Sequence, residues 1–283
     1  MSFDSFWLGQ QFPDIAGLGP IGKGGQKFVF GGTHPVDGEV VVKVFLPNTD
    51  PDRAKREVEA ARKVLSPRIP QVFELGVAPS PLGDVIWLRE QRIAGEDLRT
   101  VLTRGPLYPR DAIKLALHML EALVAAEQVR IVHRDVKPDN VIRAADDNFW
   151  LLDFGLARHL DLVSLTATAA TFGCGTPGYA PTEQFRNQKG EIDARAELFG
   201  LGVTLFESVE GVNPFRSGAR DVGEVLRRVE KMPLPAISKQ IDSQNQFRDL
   251  VLAMTRARRD QRLPSAADAL IWIQEICSRE GVS

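Results

Sequence analysis

The strongest constraint on this chain is one polar octet, His133-Arg134-Asp135-Val136-Lys137-Pro138-Asp139-Asn140, followed by the tripeptide Asp153-Phe154-Gly155. Apolar runs frame both: Ile131-Val132 precede the octet, Val141-Ile142 follow it, and Trp150-Leu151-Leu152 lead into Asp153. Acid, base and amide groups therefore sit on short loops between segments that read as buried strands. Two carboxylates, a lysine and an asparagine gathered in this way suit the holding of a divalent cation against a phosphate ester. An aspartate before glycine is often only a turn residue. With Asn140 upstream, the pair of hard oxygen donors is the better reading of Asp153.

The rest of the chain divides by its hydrophobic period. The front third is β-rich: Phe28-Val29-Phe30 and Glu39–Phe45 flank Gly31-Gly32 and Pro35-Val36-Asp37-Gly38, the pattern of a hairpin. Asp50–Leu65 reads as a helix opened by Asp50-Pro51 and closed by Pro67, and Gln71–Val77 and Asp84–Leu88 read as two further strands. From Gly95 onward apolar residues recur at helical spacing, as Ile113, Leu117, Leu120 and Leu123 do within Asp111–Gln128. A buried helix over Ala194–Val209 and several amphipathic ones follow, the last about Ala266–Ser278. A β-rich lobe followed by a helical lobe implies a cleft between them, with the join near Arg89–Ala94.

The octet and the Asp153 tripeptide together resemble the catalytic loop and the metal loop of a eukaryotic-type protein kinase. The resemblance implies an α+β, two-lobed protein kinase fold, with a small β-rich N-lobe, a larger helical C-lobe and the ATP site in the cleft. It runs from about Gly19 to Cys277. The expected organisation is an N-terminal extension (1–14), an N-lobe (15–93) and a C-lobe (94–280), one kinase domain over about 15–280. Asp135 is then the catalytic base that steers the attacking hydroxyl, and Lys137 neutralises charge on the transferring phosphoryl group. Asn140 and Asp153 become the metal ligands for Mg²⁺, with Mn²⁺ as a substitute. An aspartate two residues before a lysine resembles the serine/threonine kinases rather than the tyrosine kinases. His133 is expected to be structural, packing beside Phe154.

Ahead of these, Ile21-Gly22-Lys23-Gly24-Gly25-Gln26-Lys27-Phe28-Val29 resembles the kinase glycine-rich loop. Glycine there lets backbone N–H groups approach phosphate oxygens. Lys27 stands where the third glycine is usual. Lys43, in Val41-Val42-Lys43-Val44, resembles the strand lysine that holds the α- and β-phosphates, with Val41 in place of the more usual alanine. Its helix partner is expected to be Glu57, since Glu59 would face elsewhere. The nucleotide-binding set is thus Ile21, Gly22, Lys23, Gly24, Val29, Val41, Lys43 and Glu57. Within Leu88–Gly95, which fits the hinge, the residue guarding the back of the pocket is Arg89 or Glu90, each unusually polar.

Regulation and scaffolding are also implied by the resemblance. Arg134 beside the base is the expected partner of a phosphorylated activation segment, with Thr166, Thr168 and Thr171 as candidate sites. Thr176, in Gly175-Thr176-Pro177-Gly178-Tyr179, resembles the substrate-side threonine that bonds near the catalytic aspartate. Glu183, in Ala180-Pro181-Thr182-Glu183, is expected to pair with Arg262 as a buried scaffold contact. Glu197 stands where the family usually has an aspartate.

The implied activity is transfer of the ATP γ-phosphoryl group to Ser or Thr hydroxyls of proteins, including autophosphorylation. Gly-Thr-Pro-Gly-Tyr and the lack of inserted segments resemble the bacterial eukaryotic-like (Hanks-type) members. A pseudokinase, acting as a nucleotide-binding interaction or scaffold module, is the alternative that Lys27, Val41 and Glu197 favour. A small-molecule kinase is disfavoured by the Gly175–Tyr179 segment and the Glu183/Arg262 pair.

A formal net charge of -2 offers no global field for nucleic acid or anionic membrane. The longest apolar helix pattern, Leu198–Val209, contains Glu207 and is too short to span a bilayer. The first fourteen residues lack a signal-peptide pattern, and Cys174 and Cys277 match no metal-ligand spacing. The expectation is a reduced, cytoplasmic protein without a membrane segment, acting on protein substrates, its oligomeric state open.

Overall fold

The computed structural model describes residues 3–23, 27–45, 62–81, 83–153 and 175–283. Its first lobe is an antiparallel sheet of order β1-β2-β3-β5-β4. The strands are β1 (Ala16–Lys23), β2 (Lys27–His34), β3 (Gly38–Phe45), β4 (Val72–Ala78) and β5 (Val85–Gln91). The hairpin of β2 and β3 pairs from Lys27↔Phe45 to His34↔Gly38 without a break. Alternation along β3 sends Val40, Val42 and Val44 into one cluster with Phe28 and Phe30. Val41 and Lys43 consequently face the other way, towards the cleft.

That apolar cluster is covered by a helix, α1 (Ser5–Gln11), whose N-terminus is capped by the Asp4 carboxylate accepting from Trp7 N. Trp7 and Leu8 with the flanking Phe3 and Phe12 join the cluster, and the Trp7 indole donates to the Pro79 carbonyl at 2.8 Å. The residues expected as an extension ahead of the lobe thus supply part of its core.

The second lobe begins with a small antiparallel sheet of order β6-β7-β8: β6 (Gly95–Asp97), β7 (Val141–Ala144) and β8 (Phe149–Leu151). Its helices are α2 (Leu98–Thr103), α3 (Pro109–Gln128), α4 (Thr182–Phe185), α5 (Ala194–Glu210), α6 (Val222–Lys231), α7 (Gln246–Met254) and α8 (Ala266–Glu280). Every residue of α5 from Ala196 to Val209 is buried, which is why its sequence shows no polar face. Its interior hydroxyls are satisfied locally: Thr204 donates to the Gly200 carbonyl and Ser208 to that of Thr204. Around α5 pack α3, α7 and α8, and the catalytic-loop residue Val136 joins the same core.

Two sequence expectations change here. Of the helix expected over Asp50–Leu65, only 62–65 are described, and they are not helical: Arg62 and Lys63 form a turn. Val64 is drawn into the second lobe's core, and Pro67 disfavours helical geometry at Ser66. Ile131 and Val132 form no strand. The Ile131 N–H is instead bonded to the Ala126 carbonyl, which ties this segment to the end of α3.

Candidate active site

A cavity of about 480 Å³ lies between the two sheets, a size suited to a small ligand. Ile21, Val29 and Val41 line it from the first lobe, and Ile142 and Leu152 from the second. Together they make an apolar slot for a flat ring. The backbone of Arg92-Ile93-Ala94, between the end of β5 and the start of β6, closes one side. Ile142 and Leu152 were not singled out in the sequence. Alternation along β7 behind the fully buried Val141, and the position of Leu152 directly before Asp153, were the available signals.

The charged end of the slot is a chain of four groups. Asp153 accepts from Lys43 Nζ through Oδ1 at 2.7 Å and from Lys27 Nζ through Oδ2 at 2.6 Å. Lys43 also contacts Glu90 Oε1. Burial alone would raise the Asp153 carboxyl, but the ammonium groups of Lys43 and Lys27 outweigh it and hold the group far below the usual carboxylate range. Burial likewise opposes charge on Lys43, yet Asp153 and Glu90 lift it above its ordinary value. Glu90 is raised by burial, with Lys43 acting in the opposite direction.

The choice between Arg89 and Glu90 is resolved by strand alternation. Glu90 faces the cleft; Arg89 faces outward, bonded to Asp37 and Glu74 and placed over the Phe73 ring. Glu57 and Gly24 lie outside the described residues, and of Lys23 only the backbone is described. Gly22 is on β1, in register with Val29.

At the second lobe's edge the octet forms a closed hydrogen-bond set. Thr176 Oγ1 donates to Asp135 Oδ1 at 2.7 Å and accepts from Lys137 Nζ at 2.6 Å. Lys137 Nζ also lies 2.6 Å from Asp135 Oδ2. The Asn140 amide donates to the Asp135 carbonyl and to its Oδ2, at 2.8 and 3.0 Å. Asp135, Lys137, Asn140 and Thr176 are thus brought together.

The backbone beneath this set is anchored to buried groups. His133 Nδ1 accepts from the Asp135 N–H, which places the ring proton on Nε2, 2.6 Å from the Leu152 carbonyl. Burial lowers the His133 pKa, so the ring stays neutral. His133 thereby ties the loop of Asp135 to the segment entering Asp153; Phe154, its expected neighbour, lies outside the described residues. Arg134 has φ 70° and Asp153 has φ 63°, the left-handed region that costs side-chain-bearing residues about 1–2 kcal/mol. Two contacts hold Arg134 there: its N–H donates to Glu197 Oε1 at 2.7 Å, and its carbonyl accepts from Gln184 Nε2 at 2.6 Å. Glu197 thus anchors the loop from α5, as Gln184 does from α4. Gly200 matters for the same reason: a Cβ there would stand 3.0 Å from the Val136 carbonyl.

Glu183 and Arg262 also meet. The guanidinium bonds both carboxylate oxygens at 2.5 and 3.2 Å, donates to the carbonyls of Arg256 and Ala257, and lies over the Phe199 ring. A second scaffold knot was not foreseen: Arg99 on α2 binds Glu207 of α5, the Tyr179 hydroxyl and Asp139 of the octet. The candidate modification sites Thr166, Thr168 and Thr171 lie outside the described residues.

As a metal site the donors fit a hard cation of the Mg²⁺ type: one carboxylate that stays ionised and one amide oxygen, with the remaining positions left to phosphate and water. Among the described residues no group of three or more His, Cys, Asp or Glu could hold a metal unaided.

Comparison with known proteins bears on the same segments. Residues 16–274 match the family model described as protein kinase domain. The chain is 36% identical over 256 residues to the probable serine/threonine-protein kinase PkwA of Thermomonospora curvata, covering 88% of this chain and 32% of that protein. It is 32% identical over 238 residues to the serine/threonine-protein kinase PknB of Mycolicibacterium smegmatis, covering 81% of this chain and 37% of the relative. A probable serine/threonine-protein kinase of Corynebacterium efficiens, CE0033, is 33% identical over 224 residues, 76% of this chain and 33% of its own. The chain thus spans about a third of the length of these curated relatives.

Proposed function

Because the chain belongs to the protein kinase domain family, and to its bacterial Hanks-type serine/threonine branch, we propose that it transfers the γ-phosphoryl group of ATP to Ser or Thr hydroxyls of proteins, itself included. The observation that carries this reading is the set of Asp135, Lys137, Asn140 and Thr176, tied together within 2.6–3.0 Å and joined to the slot through the Asn140 carbonyl, which accepts from the N–H of Leu152 in its lining.

In this reading the purine lies between Ile21, Val29 and Val41 above and Ile142 and Leu152 below, its polar edge on the backbone of 92–94. Lys43 takes the α- and β-phosphates, and Lys27 adds a second ammonium near the phosphates. Asn140 and Asp153 would hold Mg²⁺, whose charge would offset that developing on the phosphates. Asp135 orients the substrate hydroxyl and receives its proton at a carboxylate oxygen. Thr176 donates to Asp135 Oδ1 and so holds the carboxylate in position for the incoming hydroxyl. Lys137 stands 2.6 Å from the base and neutralises the transferring group. Arg134 is the basic group to which phosphate on Thr166, Thr168 or Thr171 would bind.

We further assign one kinase domain to about 15–280, with N-lobe 15–93 and C-lobe 94–280. The end of β5 at Gln91 and the start of β6 at Gly95 support that division. Among the described residues no helix is long and apolar enough to cross a membrane, and we propose a cytoplasmic site of action. The test is incubation of the purified chain with γ-labelled ATP and Mg²⁺, alone and with a general protein acceptor, followed by phosphosite mapping. Label on Ser or Thr is expected, first at Thr166 or Thr168. Label recovered only on small molecules, or on no Ser or Thr, would overturn the reading.

A further inference from the structure

The wall behind Lys43 carries a group that the kinase resemblance does not supply. Lys43 on β3 and Glu90 on β5 lie on neighbouring antiparallel strands, where Val41 pairs with Glu90 and Lys43 with Leu88. The two side chains are therefore diagonal neighbours on one face of the sheet. Lys43 is 4% exposed and Glu90 6%, and Lys43 Nζ contacts Glu90 Oε1 while bonding Asp153 Oδ1 at 2.7 Å. A carboxylate buried in the sheet opposite Val41 is costly unless it acts on a partner, and Lys43 is that partner.

We propose that Glu90 is the positioning carboxylate of Lys43: it fixes the ammonium at the phosphate end of the cleft from within the sheet itself. This deepens the proposed function and rests on its reading of the cleft as a nucleotide site. The sequence resemblance gives this task to Glu57, which lies outside the described residues. The hydrogen-bonded register of β3 and β5 sets the distance of Glu90 from Lys43. It also solves a problem of charge. Asp153 now has Lys43 on one oxygen and Lys27 on the other. When it turns to a cation, Lys43 keeps Glu90 as its counter-ion and stays in place for the phosphates. The same sheet-borne contact makes Lys43 less dependent on Glu57.

The test compares ATP with adenosine, which lacks the phosphates, by calorimetric titration of wild type, Glu90→Gln, Glu90→Leu, Glu90→Asp and Glu57→Gln. Losing a charge-assisted contact at Lys43 is expected to weaken ATP binding about tenfold in Glu90→Gln and Glu90→Leu. Adenosine affinity should change by less than about twofold, since apolar contacts bind the ring. In turnover, the KM for ATP should rise more than kcat falls. Glu90→Asp should recover part of the loss, and Glu57→Gln should cost less than Glu90→Gln. Glu90→Leu keeps the volume without a buried charge and carries the test should Glu90→Gln fail to fold. Unchanged or tighter ATP binding in both variants would mean that Glu90 restrains Lys43, and overturns the proposal. Equal weakening of ATP and adenosine would make Glu90 a reader of the base and overturns it too, as would a larger loss in Glu57→Gln. A wild type that binds ATP but transfers no phosphate removes the proposed activity and leaves the Glu90 result standing. One that binds no ATP removes both.

Discussion

The two walls of the cleft hold their charges in different ways. On the second lobe's wall, Asp135, Lys137, Asn140 and Thr176 bond to one another, and the backbone beneath them is tied to buried His133, Gln184 and Glu197. On the first lobe's side, Lys27, Lys43 and Glu90 are satisfied chiefly by each other and by Asp153 across the cleft. The first arrangement is preorganised, and a substrate hydroxyl finds it assembled. The second must exchange partners when phosphates and a cation arrive. Changes on the second lobe's wall should therefore strike kcat, and changes on the first lobe's wall nucleotide affinity.

The largest expected effect tests the preorganised wall. Asp135→Asn keeps the size and most hydrogen bonds but removes the base. Phosphoryl transfer should fall by about a thousandfold or more, with ATP affinity within about threefold of wild type. Equal turnover in the two proteins would reject Asp135 as the base and erase the contrast between the walls.

Next is the scaffold under that wall. Arg262 is fully buried against Glu183. Arg262→Ala leaves that carboxylate without its cation and should cost roughly 3–5 kcal/mol, read as a lowered urea midpoint. Loss of stability below about 1 kcal/mol would show that the pair contributes little.

A smaller, paired change sharpens the division of labour. Gly200→Ala pushes a Cβ towards the Val136 carbonyl, 3.0 Å away in the unrelaxed backbone, and displaces the octet. It should lower kcat about tenfold with the KM for ATP nearly constant. Val41→Ala removes a buried methyl pair from the slot and should raise the KM for ATP about threefold with kcat nearly constant. If both variants move the same parameter, the two walls do not act separately.

The mildest test uses pH. Burial pushes the Glu197 carboxyl up from 4.5 to about 7. A carboxyl raised by folding contributes stability that is complete below its unfolded value and is lost as pH climbs through the folded one. Unfolding free energy should thus decline between pH 4.5 and about 7, and Glu197→Gln should flatten that slope. An unaltered slope in the variant would assign the dependence to other groups.

The sequence made one wall far more legible than the other. The octet is contiguous, so Asp135, Lys137 and Asn140 are close along the chain before any folding, and Thr176 was the one member that folding had to deliver. Glu183 and Arg262 were legible as a pair although they lie 79 positions apart, because each sits in its own short motif. The other wall depends on strand alternation. Arg89 and Glu90 are adjacent and both charged, and nothing local says which faces inward until the register of β5 against β3 is fixed. The same holds for Ile142 and Leu152, ordinary apolar residues whose role appears only when the small sheet closes under the slot. The Arg99–Glu207–Tyr179 knot joins three segments distant in sequence, and no local pattern marks it.

The account depends most directly on the cleft taking a nucleotide together with a cation. Calorimetric titration of the wild-type chain with ATP, with and without Mg²⁺, measures this. Saturable one-to-one binding in Mg²⁺, clearly weaker once the cation is chelated, is the expected result. Absence of binding in the presence of Mg²⁺, with the chain folded by circular dichroism, would contradict it.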